Sequence, residues 1–427
     1  LTRRGPAGTL PGVTDCVVLG AGPAGLGAAL ALARDGARVV LAEAGDAPGG
    51  LCRTRGRDGL RYDLGGHIPF VRDPGRRAWL AALAPDGLLW VPRPVASVRD
   101  GRIRPGRYLD QRDGRPEPPV VPVPPDASAA DVLPAMFGTA LVEREMRVYL
   151  EKIDGVPLGR IPAGRPLRLM RDQAAPDGFW FPRGGIGRLM DGMWAAARAA
   201  GADARLRTRA TAIHYGGGRV RGVTLEGPGG AVRLEVPAVV VALPAAVAVG
   251  LLDGDGRGGA PAAPGGAVRM RAVCLVYVRV AGPPLTHEAW VQVDDPAVPF
   301  ARMFEMANWD PGMATPAGGA IGMECYCDAA PEDPLWSLDD AALTARCVTG
   351  LVRLGWLDDP GRATPLEVVR MPRAYPLPDL AQMEAVSAAP RRLEAVAGVH
   401  LAPGAEVVTA IEAGERAAAA VRAGRWD

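Results

Sequence analysis

Three glycines and one acid carry the clearest chemistry in the chain. Gly20, Gly22 and Gly25 stand at G-x-G-x-x-G spacing, and Glu43 follows about 20 positions on. The first glycine permits a tight turn, the second lets backbone approach a pyrophosphate, and the third lets a helix lie close on a strand. The helix N-terminus then turns free N–H groups and partial positive charge toward phosphates. Glu43 is spaced to accept hydrogen bonds from ribose hydroxyls. Two more glycine pairs follow, Gly49-Gly50 and Gly65-Gly66, the second leading into His67. They suggest backbone running close to a second, larger planar group. The spacing alone does not separate NAD from FAD.

Other residue types could do chemistry beside such a ligand. His67 is one of four histidines. In its glycine turn it serves either contact and acid–base work or plain structure. Arg302, in PFARMFE, sits between Phe300 and Phe304. On a buried strand its guanidinium needs an anion or carbonyl partner, the bland alternative being a salt bridge to Glu305 or Glu324. Arg302 and Glu305 are three apart, so on a strand they face opposite sides. Tyr326 and Tyr375 either close a cage over a substrate or fill an apolar core. Lys152 reads as a structural ion pair and Cys347 as core.

The elements that must position these groups follow from apolar periodicity. Residues 17–19 read as a buried strand, 26–34 as a helix capped by Gly36, and 38–41 as a second strand. Together they form one βαβ unit. Residues 92–125 read as loop with short extended pieces, and 129–153 as helical. A helix is expected over 189–200, then two or three strands, then a buried strand at 239–243. Residues 254–266 read as a Gly/Pro/Asp-rich crossover. Further strands are expected at 268–280, 290–293 and 320–326, a helix over 339–354, a strand in GVHLAP and a last helix over 410–421. The fold class is α/β: a discontinuous Rossmann-like domain, begun at the N-terminus and finished at the C-terminus, with a mixed α/β substrate domain.

Composition excludes several classes. The chain has 427 residues, 48% hydrophobic and 22% charged, which suits a globular protein of two or three domains. A net charge of +2 gives no field for nucleic acid. Lys152 is the one lysine among 49 Lys and Arg, a pattern of coding bias rather than an arginine-built surface. The first residues lack an apolar signal core, and the longest apolar run, 236–252, contains Pro237 and Pro244 and is too short to span a bilayer. A membrane partner is therefore not expected, and the compartment is read as cytoplasmic. Cys325 and Cys327 are the one close pair among six cysteines and are expected to diverge, so neither a metal site nor a disulfide framework is expected.

Taken in order, GAGPAGLG, Glu43, APGGLCRT, DLGGHIPF, FPRGGIGRL, VVVALP and IEAGERAA resemble the flavin amine oxidase, protoporphyrinogen oxidase and phytoene desaturase superfamily of FAD-dependent oxidoreductases. They also resemble the UDP-galactopyranose mutases, which share that fold. The resemblance spans nearly the whole chain and implies FAD as cofactor. By position it assigns the pyrophosphate to Gly20, Gly22, Ala24 and Gly25, and the adenosine ribose to Glu43. Gly50, Leu51 and Arg53 would line the phosphate–ribityl path. Gly65, Gly66 and His67 would lie beside the flavin ring, Ala210 would meet the adenine, and Gly404, Glu406 and Thr409 would precede a helix aimed at the flavin pyrimidine edge. PFARMFEMANW resembles a Thr-Arg-x-x-Glu stretch of the mutases, with Ala301 departing. The lysine that many amine oxidases carry on the strand read here as RMRAVCLVYV is missing, with Arg269 and Arg271 nearby. The C-terminal flavin motif is short and lacks its arginine.

The resemblance implies an FAD-binding domain of residues 1–74, 183–262 and 393–427, and a substrate domain of 75–182 and 263–392. It implies an enzyme that oxidises a carbon bearing nitrogen or oxygen in a small biosynthetic intermediate, by hydride transfer to flavin N5. His67, Arg302 and Tyr326 are its expected catalytic residues. Molecular oxygen is the expected acceptor, and a homodimer is compatible with the sequence. The alternatives are a redox-neutral, mutase-like sugar isomerase working through reduced flavin, or a flavin-binding protein without catalysis.

Overall fold

The computed structural model describes residues 14–92, 95–99, 102–105, 123–124, 126–167, 178–253, 269–376, 379–404 and 406–424. The expected crossover at 254–266 and much of the proline-rich stretch before 125 lie outside them. The chain forms two compact units. One comprises Leu1–Cys52, Leu189–Pro264 and Ser387–Asp427, and the other Arg53–Arg188 and Gly265–Val386.

The first unit is built on a five-stranded parallel sheet, ordered Val399–Leu401, Ala238–Val241, Cys16–Leu19, Val39–Ala42 and Asp203–Arg205. The Cys16–Leu19 strand is central, paired in parallel with Val39–Ala42 on one side and Ala238–Val241 on the other. These three strands are buried along their whole lengths. That explains runs such as CVVL and AVVV with no polar alternation. The helix Pro23–Arg34 follows the first strand, with Gly22 at its N-cap and Pro23 at its first position, where proline's missing N–H costs nothing. It packs on the last helix, Val407–Ala423. A Cβ on Gly414 would fall 1.9 Å from Ala24 O, and one on Gly27 would fall 2.6 Å from Ile411 O. The two helices touch backbone to backbone at these glycines. A four-stranded sheet made of Gly230–Glu235, Arg219–Gly227, Arg209–Gly216 and Leu252–Asp253 completes the unit.

The second unit carries a seven-stranded sheet. Its centre is Met270–Val280 beside Gly319–Cys327, flanked by Ala363–Pro376 on one side and Arg302–Glu305, Trp290–Gln292, Val95–Arg99 and Arg102–Pro105 on the other. One face packs on the helix Asp340–Arg353 through Leu343, Cys347 and Leu351. Alternation along Gly319–Cys327 sends Met323, Cys325 and Cys327 into that core and leaves Glu324 and Tyr326 on the opposite face. The expectation that Cys325 and Cys327 diverge is therefore corrected, because residues two apart on a strand share a face. All six cysteines are free, and Cys325 Sγ lies 3.5 Å from Cys347 Sγ.

Residues 53–74 and 183–188, expected with the nucleotide domain, group with the large sheet, and 387–392 group with the first unit. The hairpin of Thr54–Arg57 and Leu60–Asp63 explains the first shift. Tyr62 packs on Tyr277 with ring centroids 4.5 Å apart, and the Tyr277 hydroxyl donates to Asp63 O at 2.5 Å. The strand Ala363–Pro376 and the helix Pro74–Leu83 were not anticipated. The first is only partly buried and lacks strict alternation.

Candidate functional site

In the first unit the nucleotide motif takes the shape its spacing demands. Gly20 has φ +94°, a conformation that strongly favours glycine, and its N–H donates to Ala42 O at 2.8 Å. A Cβ on Gly25 would fall 1.8 Å from Gly20 O. At Gly22 the result is opposite: a Cβ there would meet no protein atom within 4 Å. Gly25 is thus required by the protein's own packing. Gly22 opens a backbone surface that only something outside the protein would need. Ala24, between them, is buried.

Glu43 closes this cradle. Its Oε2 accepts the Ala21 N–H at 2.8 Å and its Oε1 accepts the Gly45 N–H at 2.7 Å. The carboxylate is fixed at the mouth of the glycine turn, with lone pairs left for further donors. Gly49 N–H donates to Ala21 O at 2.7 Å, and a Cβ on Gly50 would lie 3.4 Å from Gly22 Cα. The second glycine turn therefore lies against the first, with Leu51 half-buried after it. Thr208 N–H donates to Glu43 O at 2.8 Å, which carries Ala210, two residues on, toward the acid. Gly404 and Glu406 precede the Val407–Ala423 helix, Glu406 as its N-cap, and Thr409 Oγ1 donates to Glu406 O at 3.2 Å. These open and fixed positions fit an adenine dinucleotide.

In the second unit Arg53 O accepts the Leu64 N–H at 2.9 Å, bringing Arg53 beside the DLGG turn. Asp63 in that turn is buried and accepts from Thr54 Oγ1 at 2.6 Å and from the Ile186 N–H at 3.0 Å. Burial pushes its carboxyl up to about 7, against the lowering effect of both hydrogen bonds. Gly65 has φ +91°, and its N–H donates to the Tyr277 hydroxyl at 3.0 Å. A Cβ on Gly65 would press on His67 Cε1 at 3.4 Å and Glu324 Oε1 at 3.5 Å.

Beside this turn two of the three expected catalytic residues, Arg302 and Tyr326, meet on one carboxylate, and the third, His67, feels its charge. Glu324 Oε2 accepts from the Tyr326 hydroxyl at 2.8 Å, and Arg302 Nη1 stands 3.7 Å from the same oxygen. Glu324 Oε1 accepts the Gly66 N–H at 3.4 Å. His67 Nδ1 is buried without a hydrogen-bond partner among the described residues. Burial lowers the imidazole's pKa, and the Glu324 charge opposes that. Arg302 Nε donates to the Tyr149 hydroxyl at 2.9 Å, and Gln292 Nε2 donates to the same oxygen at 3.1 Å. Tyr326 stacks on Tyr375, centroids 5.9 Å apart. Burial holds the Tyr326 phenol well above its usual range, so it stays protonated at neutral pH.

A second guanidinium belongs to this cluster. Arg165 is mostly buried and donates to Asp154 Oδ2. Burial lowers its pKa, Asp154 and the phenols of Tyr326 and Tyr149 raise it, and the Arg302 charge lowers it again. Arg165 thus feels the Arg302 charge, while each guanidinium has a carboxylate of its own, Asp154 for Arg165 and Glu324, at 3.7 Å, for Arg302.

Sequence reasoning named Glu324 only as a salt-bridge alternative for Arg302, the pairing found here at 3.7 Å, and missed its bond to Tyr326, together with Arg165, Tyr149 and Tyr277. Glu324 was legible through its i, i+2 relation to Tyr326, which puts both on one face. Arg165 gave no signal, because its place beside Asp154 depends on tertiary packing rather than on spacing. Other expectations resolve as structure. Lys152 Nζ donates to the carbonyls of Phe300 at 2.7 Å, Asp295 at 3.0 Å and Val293 at 3.5 Å, a carbonyl cap rather than an ion pair. Arg269 and Arg271 both pair with Asp328, at 2.8 and 2.9 Å. Glu305 faces away from Arg302 and accepts the Thr286 N–H at 2.7 Å. Among the described residues no cluster of three or more His, Cys, Asp or Glu could hold a metal, and no helix is long and apolar enough to cross a membrane.

The fold and the nucleotide cradle define a protein built to bind an adenine dinucleotide. Residues 159–422 match the flavin containing amine oxidoreductase family and residues 18–83 match an NAD(P)-binding Rossmann-like domain, and the chain belongs to that amine oxidoreductase family. That family makes it an FAD-dependent oxidoreductase, and the matched stretch spans less than a fifth of the length of the curated relatives. All-trans-retinol 13,14-reductase of Macaca fascicularis is 39% identical over 88 residues, a match covering 20% of this chain and only 14% of that protein. Reduced UDP-galactopyranose mutase has a similar structure, at 19% identity over 97% of both chains with a TM-score of 0.76. Putrescine oxidase bound to putrescine is similar at 18% identity over 96% of this chain and 99% of that one, with a TM-score of 0.66. These structural likenesses bear on the fold.

Proposed function

We propose that the enzyme oxidises a carbon bearing nitrogen or oxygen in a small biosynthetic intermediate that also carries an anionic group. The observation behind this reading is the Arg302 guanidinium, which stands 3.7 Å from its carboxylate Glu324, beyond hydrogen-bond distance, and is set among Tyr149 and Tyr326. Bound FAD supplies the hydride acceptor. Gly20, Gly22, Ala24 and Gly25 hold its pyrophosphate and Glu43 its ribose. Ala210 meets the adenine, Gly50, Leu51 and Arg53 line the middle of the cofactor, and Gly65, Gly66, His67, Gly404, Glu406 and Thr409 attend the ring. Arg302 offers a planar fork suited to a carboxylate or phosphate. Tyr326 keeps its proton and steadies Glu324. The unpartnered Nδ1 of His67 takes or gives one proton at the reacting heteroatom. Molecular oxygen is the proposed acceptor.

A redox-neutral sugar isomerase is the second reading. Paired arginines among tyrosines suit the diphosphate of a sugar nucleotide as well as they suit a carboxylate. Oxygen uptake separates the two. On the first reading, purified enzyme consumes oxygen with an amine or alcohol that bears a carboxylate or phosphate. Isomerisation of a sugar nucleotide only after dithionite reduction, with no oxygen uptake, would overturn it in favour of the second.

A further inference from the structure

We propose that Glu324 is the internal counter-ion that an anionic substrate displaces from Arg302, so that it sets which anions the site accepts. The inference rests on the anion reading above and adds a residue to it.

The geometry separates this pair from the structural ion pairs nearby. Arg302 and Glu324 are direct partners across adjacent strands, so a short pair was available to them. Arg302 instead gives its Nε to the Tyr149 hydroxyl at 2.9 Å and leaves Nη1 at 3.7 Å from Glu324 Oε2, beyond ordinary hydrogen-bond distance. Asp328, by contrast, takes Arg269 and Arg271 at 2.8 and 2.9 Å. The Arg302 side chain keeps 22% of its surface exposed, while Glu324 keeps 4%.

Glu324 does not depend on Arg302 for its hydrogen bonds. The Tyr326 hydroxyl and the Gly66 N–H hold its two oxygens. When an anion takes the guanidinium, the carboxylate keeps both donors and is not left stripped in the interior. It remains close enough to repel, however. An anion binds only where it forms better hydrogen bonds to Arg302 than a carboxylate 3.7 Å away. Oxyanions that accept the fork bidentately, carboxylates and phosphates, meet that condition, and weakly coordinating ones do not. In the empty site the same charge offsets the repulsion between Arg302 and Arg165.

The test uses FAD-loaded protein and inorganic pyrophosphate as the probe, followed by titration calorimetry. Glu324→Gln keeps an acceptor for Tyr326 and removes the charge. It should tighten pyrophosphate binding by about tenfold, because one repelling charge at short range is gone. Arg302→Gln should abolish the gain in the double variant. Wild-type binding that needs Arg302 but is unchanged or weakened by Glu324→Gln overturns the role of Glu324 and leaves the anion reading standing. Binding in neither protein overturns both. If Glu324→Gln does not fold, Glu324→Asp withdraws the charge by one methylene. A smaller gain in affinity supports the proposal, and no gain overturns it.

Discussion

Gly22 and Gly25 give a paired perturbation whose two members should fail in different ways. Gly22 has φ −71° and ψ −179°, extended backbone that any residue adopts, and a Cβ there meets no protein atom within 4 Å. Gly22→Val should therefore leave the apoprotein's thermal midpoint within a degree or two of wild type. Its side chain would fill the space through which backbone N–H groups reach the pyrophosphate. Losing one or two charge-assisted hydrogen bonds at about 1.5–3 kcal/mol each corresponds to roughly ten-fold to twenty-thousand-fold weaker FAD binding. Gly25→Ala reverses the pattern. Its Cβ would sit 1.8 Å from Gly20 O, so strand and helix must separate, at an overpacking cost of about 1–3 kcal/mol or more. Thermal melts of both apoproteins and fluorimetric titration with FAD separate the outcomes. Stoichiometric FAD retained by Gly22→Val refutes the reasoning, as does an apoprotein as destabilised as that of Gly25→Ala.

Arg302→Lys keeps the charge but loses the fork. Turnover should fall or KM rise by about tenfold, with FAD content and melting temperature near wild type, whereas loss of flavin would make Arg302 a cofactor ligand. Asp63 titrates at about 7 in the folded protein against 3.8 in the unfolded chain. A raised carboxyl contributes stability that is fully present below pH 3.8 and lost as pH rises through 7, up to about 4 kcal/mol by linkage. Asp63→Asn should flatten the fall in melting temperature between pH 5 and 8, and a slope equal to wild type would contradict that. Lys152→Met strips three carbonyls of their shared donor and should cost about 2–4 kcal/mol in urea melts without changing FAD content. A stable variant that had lost turnover would instead put Lys152 in the chemistry.

The nucleotide half of the protein was legible in its sequence because its determinants are local. Gly20, Gly22, Gly25 and Glu43 lie within one βαβ unit, where strand, turn and helix follow from short-range sterics and apolar runs. Even so, the different reasons for Gly22 and Gly25 appeared only with coordinates, since one faces open space and the other a carbonyl. The second half was legible in parts. Arg302 and Tyr326 could be singled out by type and strand setting, and Arg302 could be denied Glu305 by alternation alone. That Glu324 rather than Glu305 takes Arg302 and also Tyr326 was decided by the register that sets Arg302 opposite Glu324. Arg165 and Tyr149 come from helical segments more than 130 residues before Arg302. Sequence fixes the kind of side chain each position offers. Strand register and long-range packing decide which of them share a buried charge.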